Sequence, residues 1–194
     1  MAEFLNKIIP NVMARTDIFW ESFRDTFIMV GWAGGISFLI GIILGITLIV
    51  TRPSGIVPNQ LIYQVIDKIV NFFRSIPFII LLVGLVPLSR AIMGTGIGVK
   101  GAIVPLIFGC APFFTRQMET AMSDVNLGLI EAAQSMGLSN LEIIWSVYLK
   151  ESIAGIARGT TITIISLIGL TAMAGAVGAG GLGNSAIMYG HDRN

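Results

Sequence analysis

The stretch FIMVGWAGGISFLIGIILGITLIV, Phe27 to Val50, contains no charged side chain. As an α-helix it would be about 36 Å long, enough to cross a hydrocarbon core of about 30 Å with some tilt. Arg52-Pro53 then stops it. Inside the run, Gly31/Gly35 and Gly41/Gly45 have the GxxxG spacing that lets a second helix come close. Composition agrees with a membrane solvent. Of 194 residues, 54% are hydrophobic and only 12% charged, against about 25% charged in soluble domains. A chain so poor in charge cannot clothe itself for water alone, so lipid must be one of its solvents. The net charge of +1 gives no case for nucleic acid. One cysteine, Cys110, and one histidine, His191, exclude a disulfide framework and a cysteine or histidine metal cluster. Accordingly no catalytic residue, cofactor or metal site is expected.

Moving outward, residues 1–26 mix charges with apolar positions and lack the clean apolar core of a signal peptide. The spacing of Ile8, Ile9, Val12, Phe19 and Phe23 suggests an amphipathic lead-in at the membrane surface, so 1–26 is expected to be an extracytoplasmic or interfacial segment. A second apolar segment, about Val57 to Leu88, holds Asp67, Lys68, Asn71 and Arg74 before Pro77. Charges in lipid are costly, so Asp67, Lys68 and Arg74 should face protein, water or headgroups. Pro77 removes a backbone donor, which predicts one broken helix, with two short spans as the alternative. Gly94, Gly96 and Gly98 mark a turn. Val99 to Met122 is a third span, with Pro105 and Pro112 inside it. A fourth fits from about Ile153 to Val177. The fold class is therefore all-α, a polytopic helical membrane protein with about four transmembrane helices. Lysines and arginines lie on both sides, so the positive-inside rule does not orient it.

The polar loop 123–152 between spans three and four carries the clearest local signals. Leu127 to Met136 has helical spacing around Glu131, Ala132 and Ala133, all strong helix formers. Gly137 can take the left-handed conformation that ends a helix. Ser139 and Glu142 form an S-x-x-E capping box that starts the next one. The product is a short helix, a sharp turn and another helix, a shape suited to a groove on a partner.

Glu131-Ala132-Ala133, three residues, then Gly137 resembles the EAA signature of ABC-importer permeases. That signature goes on to I-x-L-P, where this sequence has Val147-Tyr148-Leu149-Lys150. Lysine in place of proline leaves the exit of the second helix open. Longer blocks resemble the bacterial methionine-uptake permeases: Asn71 to Leu82 (NFFRSIPFIILL), Gly101 to Leu106 with Ala111-Pro112-Phe113, and Ala172 to Gly183 (AMAGAVGAGGLG). The likeness runs from about Phe27 to Arg193. It implies a type I ABC importer permease fold over 27–194 in the bacterial inner membrane. It also implies a homodimer, two cytoplasmic ABC ATPase subunits that hydrolyse the ATP, and an extracytoplasmic methionine-binding lipoprotein. Glu131, Ala132, Ala133 and Gly137 would then form the ATPase coupling helix, the loop would be cytoplasmic and the N-terminus outside. Such permeases continue into a fifth span past the Tyr189 region, so the chain is expected to lack the last helix, whether as a natural or an engineered truncation or for another reason.

Other signals carry less. Gly178 to Gly183 satisfies G-x-G-x-x-G, but a nucleotide fold needs a preceding strand and a later acidic residue. Here it reads as a turn leaving the fourth span. Thr160, Thr161, Thr163, Ser166 and Thr171 read first as hydrogen-bonding to neighbouring helices. More sharply, Thr163, Ser166 and Met173 are candidates to line a translocation path, since small hydroxyls solvate a zwitterion without retaining it. Asp67, Lys68 and Arg74 admit two readings, an ionic relay in an ion-coupled secondary carrier, or salt bridging or snorkelling at a membrane face. A third class, a truncated permease that assembles but does not transport, also stays open.

Overall fold

The computed structural model describes residues 15–190; Ile8, Ile9 and Val12 of the amphipathic lead-in lie outside them. Among the described residues there are helices and turns and no strand. Helix α1 runs Thr16–Thr51, well ahead of the expected start at Phe27, so the charged stretch 16–26 continues into the first span. Its buried residues (Met29, Ala33, Leu48) and its exposed ones (Trp32, Leu39, Ile43) are equally apolar. A helix apolar all round belongs in lipid or in a protein core.

The second apolar segment breaks where Pro77 predicts. Helix α2 covers Gln60–Ser75, capped by Asn59, whose side chain accepts the Ile62 N–H at 3.1 Å. Ile76 takes the extended backbone that a following proline imposes. Helix α3 is Phe78–Gly84, and α4, Val86–Met93, begins with Pro87 in its first turn and ends on left-handed Gly94. No piece of this segment has the length of a span. Three other helices do: α1, α5 (Gly98–Ser123), and α9 (Ile153–Ala174) together with its extension to Ala179. Two helices of the connecting loop, α6 (Leu127–Ser135) and α7 (Asn140–Ile143), are followed by a π-helical turn, Ile144–Tyr148, and by α8, Leu149–Glu151. Past α9 the chain kinks, with non-helical backbone at Val177 (φ −109°, ψ 22°) and Gly178 (φ 93°, ψ 17°), and leads to α10, Gly181–Gly190.

The chain forms two compact units. One gathers Gly35–Pro77 and Phe108–Ser166. In it, glycines let helices meet backbone to side chain. A Cβ at Gly41 would lie 2.5 Å from Phe114 Cδ1, and one at Gly45 would lie 2.5 Å from Met118 Cβ. From α9, Gly155 and Gly159 meet Ala121 and Gln117 in the same way, so α5 runs between glycine faces of α1 and α9. The other GxxxG pair differs, for a Cβ on Gly31 or Gly35 would meet nothing within 4 Å beyond its own stretch of helix.

The other unit comprises the described part of Met1–Gly34 with Phe78–Ile107 and Leu167–Asn194. Here buried Thr26 donates to Ser22 O at 3.0 Å and accepts the Leu182 N–H at 2.9 Å, supplying a cap for α10. Ser22 and Ser185 share a hydroxyl hydrogen bond, and the Arg15 guanidinium sits 5.7 Å over the Tyr189 ring. The turn before α10 is closed by glycines. Gly178, Gly180 and Gly181 have φ of 93°, 84° and 76°, and a Cβ on Gly183 would collide with the Ala172 carbonyl oxygen.

Candidate coupling loop and transmembrane path

Asn126 opens α6, its side chain accepting the Gly128 N–H at 2.8 Å. The helix divides its residues as its spacing requires: Ile130 and Ala133 are buried, Glu131 and Ala132 exposed. The buried pair joins a core with Met118, Met122 and Val125 from the end of α5 and its exit, Ile49 from α1, and Ile143 and Tyr148 from the second half of the loop. Gly137 ends α6 with φ 81° and donates to Gln134 O at 3.0 Å, while Leu138 N–H reaches Ala133 O at 3.1 Å. The capping box is complete: Ser139 N–H donates to Glu142 Oε2 at 2.8 Å, and Glu142 N–H donates to Ser139 Oγ at 3.4 Å. The hydrogen bonds from Ser139, side chain first and backbone second, hold the Glu142 carboxyl below its ordinary value. At Lys150, where the EAA pattern has proline, the chain stays helical. It has already widened through the π-turn, and it turns at Ser152 (φ −90°, ψ 1°) into α9.

Four threonine hydroxyls of α9 bond back to their own helix. Thr160, Thr161 and Thr163 donate to the carbonyls of Ile156, Ala157 and Gly159, and Thr171 donates to Ile168 O. This corrects the expectation of bonds to neighbouring helices: the carbonyl one turn back is already in place and costs no search. Of the three candidates for a path, Thr163 is buried, whereas Ser166 and Met173 are exposed.

Asp67, for which spacing offers partners only within its own segment, is held from a distant helix. Arg116, from α5, donates to the Asp67 carboxylate and, at 3.0 Å, to Asn71 Oδ1, and binds Glu119 of its own helix. Lys68 and Arg74 are exposed, and among the described residues neither forms an ion pair. A relay through Asp67, Lys68 and Arg74 therefore finds no chain of contacts to run along. The G-x-G-x-x-G run follows a helix, not a strand, which removes the nucleotide reading. A depression of about 280 Å³ beside it, touched by Leu82, Ile97, Gly98, Val177 and Gly178, has no charged side chain in its lining.

The family model of the binding-protein-dependent transport system inner membrane component matches residues 37–190. The chain is 47% identical over 147 residues to the D-methionine transport system permease protein MetI of Escherichia coli K12, covering 76% of this chain and 66% of that relative, just under two thirds of its length. With the probable D-methionine transport system permease protein MetI of Vibrio cholerae it shares 43% identity over 188 residues, 97% of this chain and 84% of the relative. A chain from an inward-facing structure of the MetNI methionine ABC transporter superposes with a TM-score of 0.89 at 44% identity, covering 92% of this chain and 82% of that one.

Proposed function

Since the chain belongs to the family of binding-protein-dependent transport system inner membrane components, we propose that it serves as the permease subunit of an ATP-driven importer, carrying methionine or a similar small amino acid across the inner membrane. Its partners in this reading are a second copy of itself, two cytoplasmic ABC ATPase subunits and an extracytoplasmic binding lipoprotein. The observation that carries the reading is the division of α6, with Ile130 and Ala133 sunk in the core at the end of α5 while Glu131 and Ala132 face outward. A helix anchored on one side and open on the other is a lever. A groove on the ATPase engages Glu131, Ala132 and the turn at Gly137, and closure of the ATPase pair on ATP moves α6. Rigid packing passes that motion to α5, alternating access to a central path. Ser166 and Met173 offer that path a small hydroxyl and a polarizable thioether, with Thr163 buried one turn away from Ser166. The substrate class rests on the likeness to the methionine permeases.

The test is co-purification of the tagged chain with its cognate ATPase from membranes, comparing wild type with Ala132→Arg. Ala132 is exposed, so arginine there leaves the core intact and obstructs only a partner. Binding by wild type and its loss in the variant, with unchanged thermal stability, is the expected result. Equal binding by both would place the ATPase contact elsewhere and remove the lever.

A further inference from the structure

Helix α2 is held to the rest of its unit by little apolar packing. Only Val70 is buried, while Leu61, Val65, Ile69 and Phe72 stay exposed. The Phe73 ring meets Phe108 with centroids 5.2 Å apart. Its polar attachment is Arg116. One nitrogen of that guanidinium reaches the Asp67 carboxylate, Asn71 Oδ1 at 3.0 Å and the Asp67 main-chain carbonyl at 3.4 Å. The other reaches Glu119 Oε2, and Asn71 closes the ring by donating to Asp67 Oδ2 at 3.1 Å. A planar fork bound on both arms has one geometry, unlike a flexible ammonium. Because it also touches a main-chain carbonyl in mid-helix, it fixes where α2 lies and not merely one side chain.

Its position on α5 matters. Phe114, Met118 and Met122 face the core shared with Ile130 and Ala133 of α6. Arg116 and Glu119, at intervening helical positions, turn away from that core toward α2. The loop-proximal end of α5 is thus gripped by α6 on one face and, through Arg116, by α2 on another.

We propose that Arg116 is a positioning residue for transport: with Asp67 and Asn71 it makes α2 follow α5 when α6 is moved, so that the ATPase stroke reaches α2. This rests on the importer reading above. The experiment uses the complete transporter, permease with ATPase and binding protein, in proteoliposomes, comparing wild type with Arg116→Lys and Asp67→Asn. In both variants the cation at position 116 is still balanced by Glu119, which favours folding. The readouts are ATP hydrolysis, substrate uptake and thermal stability. Hydrolysis is expected to stay near wild type in both, while uptake per ATP falls about tenfold, a typical coupling magnitude. Parallel loss of hydrolysis and uptake, or wild-type uptake per ATP in Arg116→Lys, would overturn the inference and leave a structural clamp. A wild-type complex that fails to assemble or to hydrolyse ATP would overturn the importer reading, and this inference with it.

Discussion

Two glycine pairs with the same spacing stand on α1, and the structure predicts opposite outcomes when each is changed to alanine. At Gly45 the new Cβ would sit 2.5 Å from Met118 Cβ and 3.2 Å from the Thr115 carbonyl oxygen. Carbon atoms rest about 3.5–4.0 Å apart, so the neighbour must retreat by about 1 Å. Met118 Cβ is attached directly to the backbone of α5 and cannot swing aside, so the whole crossing has to open. Overpacking of this kind costs about 1–3 kcal/mol, here toward the upper end. Alanine returns up to about 1 kcal/mol in helix propensity. The net loss at Gly45 is about 2 kcal/mol, equivalent to a fall of about 4–8 °C in Tm for a chain of this size. At Gly31 and Gly35 the Cβ would meet nothing within 4 Å beyond its own stretch of helix, so only the propensity gain remains and Tm should hold or rise by a few degrees. The protein carries its own reporter. Cys110 is the single cysteine and is 2% exposed, so a thiol-reactive dye in detergent reads its release on heating. A Gly45→Ala protein as stable as Gly31→Ala would refute the reasoning.

Thr26→Val removes the acceptor of the Leu182 N–H while keeping the shape, leaving a part-buried donor without a partner. A loss of about 1–3 kcal/mol is expected, with Thr26→Ser close to wild type in the same thermal assay. In the capping box, Glu142 has its carboxyl below the ordinary value of 4.5 because Ser139 hydrogen-bonds the charged form. A depressed acid stabilises the fold above the unfolded value, and that contribution disappears as pH falls through the folded value. Emission of Trp145, followed after Trp20→Phe and Trp32→Phe, should show a loop transition below pH 4.5 that Glu142→Gln lacks; a transition persisting in that variant would assign it to another group.

Features written into neighbouring residues were legible beforehand. The stop of α1 before Arg52-Pro53, the break at Pro77, the α6 spacing, Gly137 and the Ser139–Glu142 box each depend on local chemistry, and the structure has them where that chemistry puts them. Features that depend on distant partners were not. Asp67 lies 49 residues from Arg116, and no spacing rule links them, so the sequence offers Asp67 only Lys68 and Arg74 of its own segment. The two GxxxG pairs are indistinguishable as strings and differ only in what faces them. The second break, at Leu85, comes from Pro87 in the first turn of α4, a signal present in the sequence but weaker than Pro77.

The π-turn at Ile144–Tyr148 makes the loop tolerant of a change in length. Such a turn holds one residue more than the α-turn it replaces. Deleting a residue there would restore continuous α-helix without rotating α8 or α9. The same deletion inside α9 would swing every later side chain by about 100° around the axis. The segment between the lever and the last span is therefore a place where the chain can lose a residue by evolution or by engineering and keep α9 in phase.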